Sequence, residues 1–341
     1  MAATPLASSR RARQPALIRS PRRPLRRSRL RPRWHTRPVN LPDRQSAPLQ
    51  RTDLVAILVV VLIWGTNFVV MKVGLVSFTP FQMGAGRFLL AFLPLAFVLR
   101  RPGGALRWVV AFGLAQGVGQ FGLLFVAMQV GMTAALASVL LQTQVFFSAL
   151  FGVLLLREQV AGPVRAGMAF AAVGLACFGA NVWLAPGDAS VTGWGFGLTL
   201  ASAAMWALSN IIVRKAREDA AGFEPVAFVV WSSAVSVLPL LALSWWFDPA
   251  DAHANWLRAP WHAWLALAFL GWLATDLGYG LWTGLLKRYP ASRVAPFSLG
   301  VPLVGLAAGV LLLGERVTGV QWLGSAFVLG ALACVVAGPY F

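Results

Sequence analysis

The chain has 341 residues, of which 58% are hydrophobic and only 12% charged, with a net charge of +18. Typical soluble domains carry about 25% charged residues, so there are too few polar groups here to coat a water-exposed globule, and a pair of soluble domains of this total length is excluded. The basic excess is not a nucleic-acid surface spread over the fold, because residues 1–52 hold 14 arginines against one acid, Asp43.

Those arginines come partly as pairs, Arg10–Arg11, Arg22–Arg23 and Arg26–Arg27, separated by Pro15, Pro21, Pro24, Pro32 and Pro38. Like-charge repulsion without apolar periodicity predicts a disordered, Arg-rich cytoplasmic tail over residues 1–53. No apolar core follows closely enough for a signal peptide or a twin-arginine export signal. A tail touching anionic lipid and an over-extended start of the reading frame both fit, and no nucleic-acid partner is expected.

A hydrocarbon core of about 30 Å needs about 20 apolar residues in helix. Ten such segments follow, at 54–75, 81–99, 108–130, 134–156, 163–184, 193–213, 225–247, 263–286, 294–313 and 318–338. They are continuous rather than alternating in hydrophobicity, so they read as helices and not as barrel strands. With the N-terminus in the cytoplasm, the basic residues of the loops outside the tail fall eleven on the cytoplasmic side against two, Arg258 and Arg316, on the other. This bias predicts both termini in the cytoplasm of a multi-pass protein of the plasma (bacterial inner) membrane.

The segments repeat. Trp64-Gly65-Thr66-Asn67 followed by Lys72 is echoed by Trp206-Ala207-Leu208-Ser209-Asn210 followed by Lys215. Leu156-Arg157-Glu158 with Gly162 and Gly167 is echoed by Leu313-Gly314-Glu315 with Gly319 and Gly324. Five spans per half is an odd number, so the second half enters the bilayer from the opposite face. The expected fold is therefore all-α and integral to the membrane, ten transmembrane helices in two inverted five-helix repeats, 54–184 and 193–338, a design suited to alternating access around a midplane site.

The chain also resembles the EamA family of the drug/metabolite transporter superfamily. The resemblance rests on Trp64-Gly65-Thr66-Asn67-Phe68, Gly86-Arg87-Phe88, Gln142-Thr143-Gln144, Leu156-Arg157-Glu158, Arg293-Val294-Ala295-Pro296 and Gly314-Glu315-Arg316, and covers residues 54–338. Within that family, Asn67 to Leu75 and Arg293 to Leu299 are similar to exporters of the O-acetylserine/cysteine type. The resemblance implies a secondary transporter that exports amino acids or their metabolites. Export of another small metabolite or drug on the same fold, or a non-transporting membrane scaffold, is the alternative.

Polar side chains within spans are costly and serve as first candidates for function. A zwitterionic metabolite needs donors for its carboxylate and acceptors for its ammonium, and neutral amides offer both. Asn67, Gln120, Gln142, Gln144 and Asn210 are candidate lining residues, with Trp64, Trp206 and Tyr279 as walls and Arg87 as a carboxylate grip. The competing role for the amides is interhelical glue. Asp276 is an acid deep in a span and a candidate carrier of a coupling proton. Pro296 and Pro302 interrupt the ninth span and suggest a hinge. Lys72 reads as a snorkelling anchor, and Glu158 and Glu315 as caps of the helices that follow them.

Gly117-Val118-Gly119-Gln120-Phe121-Gly122 fits a dinucleotide-binding pattern, but no strand precedes it, so it reads as a helix-packing surface. There is no Walker sequence, no nucleophile–histidine–acid cluster and no spacing that would hold a metal, so neither an enzyme nor a cofactor is expected. Cys177 and Cys334 read as small apolar residues. The expected partners are an amino-acid-like substrate, a coupling proton and membrane lipid; a homodimer through a glycine-rich face is left open.

Overall fold

The computed structural model describes residues 49–103, 106–157, 159, 161–184, 191–219 and 223–337. The Arg-rich tail up to residue 48 and Glu158 lie outside the described residues. Helices dominate, and no strand occurs among the described residues. In chain order the longer ones among the described residues are α1 (Arg51–Gly74), α2 (Pro80–Ala96), α3 (Leu106–Gln129), α4 (Ala134–Leu155), α5 (Gly162–Val182), α6 (Gly193–Asp219), α7 (Pro225–Phe247), α8 (Trp261–Arg288), α9 (Ala295–Leu313) and α10 (Gly319–Val336). Nine of them are long and apolar enough to cross a bilayer. The other, α2, has 17 residues, about 25 Å at 1.5 Å per residue, shorter than the 81–99 span that the sequence suggested.

Local sequence sets the boundaries. Thr79 begins α2 with a reciprocal cap: its hydroxyl accepts from the Gln82 N–H at 3.2 Å, and Gln82 Oε1 accepts from the Thr79 N–H at 3.3 Å. Pro80 then occupies the first helical turn, where its missing N–H costs nothing. Pro225 opens α7 in the same way. Each of these helices carries a second proline fourteen residues on, Pro94 and Pro239.

The repeat extends to the irregularities. Both third helices contain a π segment, Gly113–Gly122 in α3 and Phe269–Leu277 in α8. Both fourth helices contain a tightened 3-10 turn, Leu141–Thr143 and Ala295–Leu299. Each of the latter ends on a left-handed residue, Arg157 at φ 56° and Gly314 at φ 64°, which closes the last turn of the helix. The packing pattern also closes under exchange of the halves: α1 lies on α9 as α6 lies on α4, α3 lies on α6 as α8 lies on α1, and α2–α7 and α5–α10 pair with their own counterparts.

Close approach depends on glycine at particular crossings. A Cβ on Gly324 would stand 3.0 Å from the Gly174 carbonyl oxygen, and one on Gly174 would stand 2.9 Å from that of Gly324. The two backbones of α5 and α10 therefore touch, as small residues permit in lipid. Asn181 and Gln321 add a polar bridge there: Gln321 Nε2 donates to Asn181 Oδ1 at 2.8 Å. Gly117 behaves as expected of a packing glycine, since its Cβ would overlap the Ser236 hydroxyl at 1.9 Å.

Two charged residues have other partners than their sequence context suggested. Glu315 does not cap the helix that follows it. Its two oxygens accept from the backbone N–H groups of Ala134 and Ala135, each at 2.8 Å, and so cap α4 in the other half. Because Gly314 turns the chain left-handed, the carboxylate points back toward a helix N-terminus carrying free donors. Lys72 is half-buried rather than snorkelling freely; its ammonium donates to the carbonyls of Met128 at 2.6 Å and Met132 at 3.0 Å, at the end of α3. Together they pin the turn between α3 and α4.

Replacing Gly324 by Val is expected to overpack the α5–α10 crossing and cost about 1–3 kcal/mol, seen as a lower thermal midpoint in detergent. An unchanged midpoint would contradict the close contact.

Candidate functional site

The interior holds a cavity of about 70 Å³ walled by α1, α2, α3, α4, α6, α8 and α9. Trp64, Asn67, Arg87, Gln120, Gln142, Trp206 and Tyr279 line it. A wider chamber of about 340 Å³ shares Trp64, Gln142, Trp206 and Tyr279 and adds Gln144 and Asn210. It reaches Arg217, Phe223 and Leu286 near the α6–α7 loop and the end of α8. Opposite, past Met71 and Leu124, the interior is packed solid by Phe78, Met128, Met132 and Leu136. All nine residues expected to bind substrate thus line one of two adjoining spaces.

Arg87 is the dominant feature. Its side chain is 2% exposed. Nε and Nη2 donate to the Thr275 hydroxyl at 3.3 and 3.2 Å, and the guanidinium lies 3.8 Å from the Phe121 ring centroid. Nη1, also buried, has no partner. Thr275 passes its own proton to the Leu270 carbonyl five residues back, at 2.8 Å, a bond that the π segment of α8 makes available. The cation is held by one hydroxyl and an aromatic face, with one donor pair to spare.

Asn67 supplies the complementary group. It is buried in the middle of α1, and its Oδ1 has no hydrogen-bond partner. Nearby amides are already engaged. Gln116 Nε2 donates to Gln120 Oε1 at 2.8 Å, Ser209 donates to Gln116 Oε1, and Ser202 donates to the Gln120 carbonyl at 2.7 Å. Gln144 Oε1 accepts from Asn210 Nδ2 at 2.9 Å. The Gln116–Ser209 and Gln144–Asn210 bonds join α3 and α4 to α6, so Gln116, Gln144 and Asn210 bridge helices even as they line the spaces, while the Gln120 side chain bonds within α3.

The aromatic wall is fixed by α8. The Trp64 indole N–H donates to the Ala274 carbonyl at 2.9 Å, and its ring packs on Tyr279 and Trp282 with centroids 5.4 and 5.6 Å away. A Cβ on Gly278 would come within 2.5 Å of the indole nitrogen, so glycine there makes room for the ring.

Asp276 lines neither space. It lies half-buried beside Thr275, close enough for electrostatic attraction to Arg87, with Oδ1 unpartnered. Pro296 lies in the 3-10 turn that opens α9, and Pro302 is buried in the helix beyond, its carbonyl accepting from Ser138 at 3.3 Å. Sequence reasoning missed Thr275, Ser209, Trp282 and Ser232. Serine and threonine in apolar helices carry no signal of their own, since most return their proton to a carbonyl one turn back, as Thr283 and Ser298 do here. Among the described residues no group of three or more potential ligands forms a metal site.

Comparison with known proteins is decisive for the family. The EamA-like transporter family matches residues 52–180 and again 193–337. The chain belongs to the EamA-like transporter family. Two relatives named "Probable amino-acid metabolite efflux pump", from Salmonella typhimurium and Escherichia coli, are each 38% identical over 296 residues, covering 85% of this chain and 96% of theirs. A "Probable terminal-alkyne amino-acid exporter" from Streptantibioticus cattleyicolor is 27% identical over 266 residues, 76% of this chain and 85% of that one. A solved structure shares the fold with a TM-score of 0.53 at 19% identity, covering 83% of this chain and 96% of the other. This EamA-like protein is thus a multi-pass membrane transporter, with relatives named as probable efflux pumps.

Proposed function

We propose that this EamA-like transporter exports amino acids or their metabolites, of the O-acetylserine/cysteine type, from the cytoplasm. The observation that carries this reading is the pair of unpartnered buried atoms at one cavity, the Arg87 Nη1 donor and the Asn67 Oδ1 acceptor. An unsatisfied buried donor and acceptor each cost free energy. A molecule bearing both a carboxylate and an ammonium satisfies the two at once, and the Trp64 and Tyr279 rings face its remaining surface. The names of the similar efflux pumps support the same substrate class.

Transport proceeds by alternating access. The wider chamber ends at Arg217, Phe223 and Leu286, the side that the loop charges assign to the cytoplasm of the plasma membrane. Release on the other side requires parting of the contacts that Lys72 and Glu315 make with the α3–α4 turn. Pro296 and Pro302 serve as the hinge of α9. Asp276, in electrostatic contact with the Arg87 cation, carries the coupling proton.

Cells overproducing the protein are expected to release cysteine and O-acetylserine faster than control cells. Replacing Arg87 by Gln is expected to cut that release about 10- to 100-fold, the range of a lost charge-assisted bond. Release no faster than control, from protein shown to be in the membrane, would overturn the substrate assignment. Asp276→Asn is expected to flatten the pH dependence of transport in liposomes, and an unchanged pH profile would remove Asp276 from coupling.

A further inference from the structure

A second, narrower space of about 20 Å³, room for about one water-sized group, adjoins Arg87 on the side of α7. Phe121, Gln116, Thr275 and Tyr279 border it, and its far wall is a run of serines, Ser232, Ser233 and Ser236. It is narrow because α3 and α7 touch there: a Cβ on Gly113 would stand 2.6 Å from the Ser232 carbonyl oxygen. Two of the three hydroxyls are satisfied. Ser233 donates to the Val229 carbonyl at 3.0 Å, and Ser236 to that of Gly113 at 2.9 Å. Ser232 Oγ, on a residue 1% exposed, has no partner.

The repeat gives this hydroxyl a second distinction. Pro225 follows Pro80, and Pro239 follows Pro94, by 145 residues, and Ser232 follows Arg87 by the same interval. Arg87 and Ser232 are therefore counterparts in the two halves, and both border one pocket. A buried hydroxyl left unpaired is unfavourable and is relieved when a ligand supplies the missing partner.

We propose that Ser232 is a specificity-determining residue whose hydroxyl hydrogen-bonds the polar atom of a short substrate side chain. This rests on the amino-acid reading above. With the carboxylate on Arg87 and the ammonium on Asn67, the side chain is the remaining substituent of the α-carbon, and the space beyond Arg87 receives it. The pocket favours a hydroxyl or thiol on the β-carbon and disfavours an alkyl group of the same size.

The test compares radiolabelled L-serine with L-2-aminobutyrate, which replaces the hydroxyl by a methyl, as substrates of the purified full-length protein in liposomes. The unmodified protein is expected to prefer serine about tenfold in initial rate at low concentration. Ser232→Ala is expected to bring the two rates within about threefold, by slowing serine alone, while Ser232→Thr, which keeps a hydroxyl, retains the preference. If Ser232→Ala carries neither compound, the same ratio is read from ligand-induced shifts of its thermal midpoint in detergent. An unmodified protein that carries both without preference, or a Ser232→Ala variant with the original ratio, overturns the role of Ser232 and leaves the amino-acid reading standing. An unmodified protein that moves no amino acid overturns both.

Discussion

A guanidinium in the apolar interior of a membrane protein is the constraint on which the site depends. Such a charge is expensive unless its donors find partners. Arg87 finds the Thr275 hydroxyl and the face of Phe121, and one pair of N–H bonds remains. Thr275 and Phe121 both sit in π segments, on α8 and α3 respectively. A regular α-helix would turn one or both of these side chains away, so the two π segments and the buried cation are parts of one arrangement. π segments inside longer helices occur frequently at functional sites.

The two halves share a backbone plan but not a chemistry. Prolines, π segments, 3-10 turns and left-handed ends recur at matching places. The side chains at those places differ: Arg87 in one half corresponds to Ser232 in the other. Asp276 follows Gln120 by 156 residues, the interval between the starts of the π segments. The unlike side chains give the interior one cationic wall and one set of neutral walls.

Much of this was legible in the sequence. Continuous apolar runs fixed the helical class, and rarity of polar residues in those runs singled out the residues that line the interior. Asn67, Arg87 and Gln142 stood out as strongly polar side chains inside long apolar spans. Other features were not legible, for physical reasons. Lys72 and Glu315 find partners across the fold, at helix ends some 60 and 180 residues away in the chain, so local spacing pointed Glu315 to the wrong helix. Ser232 and Thr275 differ from other membrane serines and threonines only in where their protons go. The shortness of α2 arises at its far end, where Ala96 closes the helix although apolar residues continue through Leu99.

The central claim is that the free donor pair of Arg87 is the seat of a carboxylate. The most direct measurement is calorimetric binding of cysteine and of cysteamine, which is cysteine without its carboxylate, to the purified protein in detergent. The account predicts measurable binding of cysteine and a loss of about 10- to 100-fold or more for cysteamine. Equal affinity for the two would contradict it.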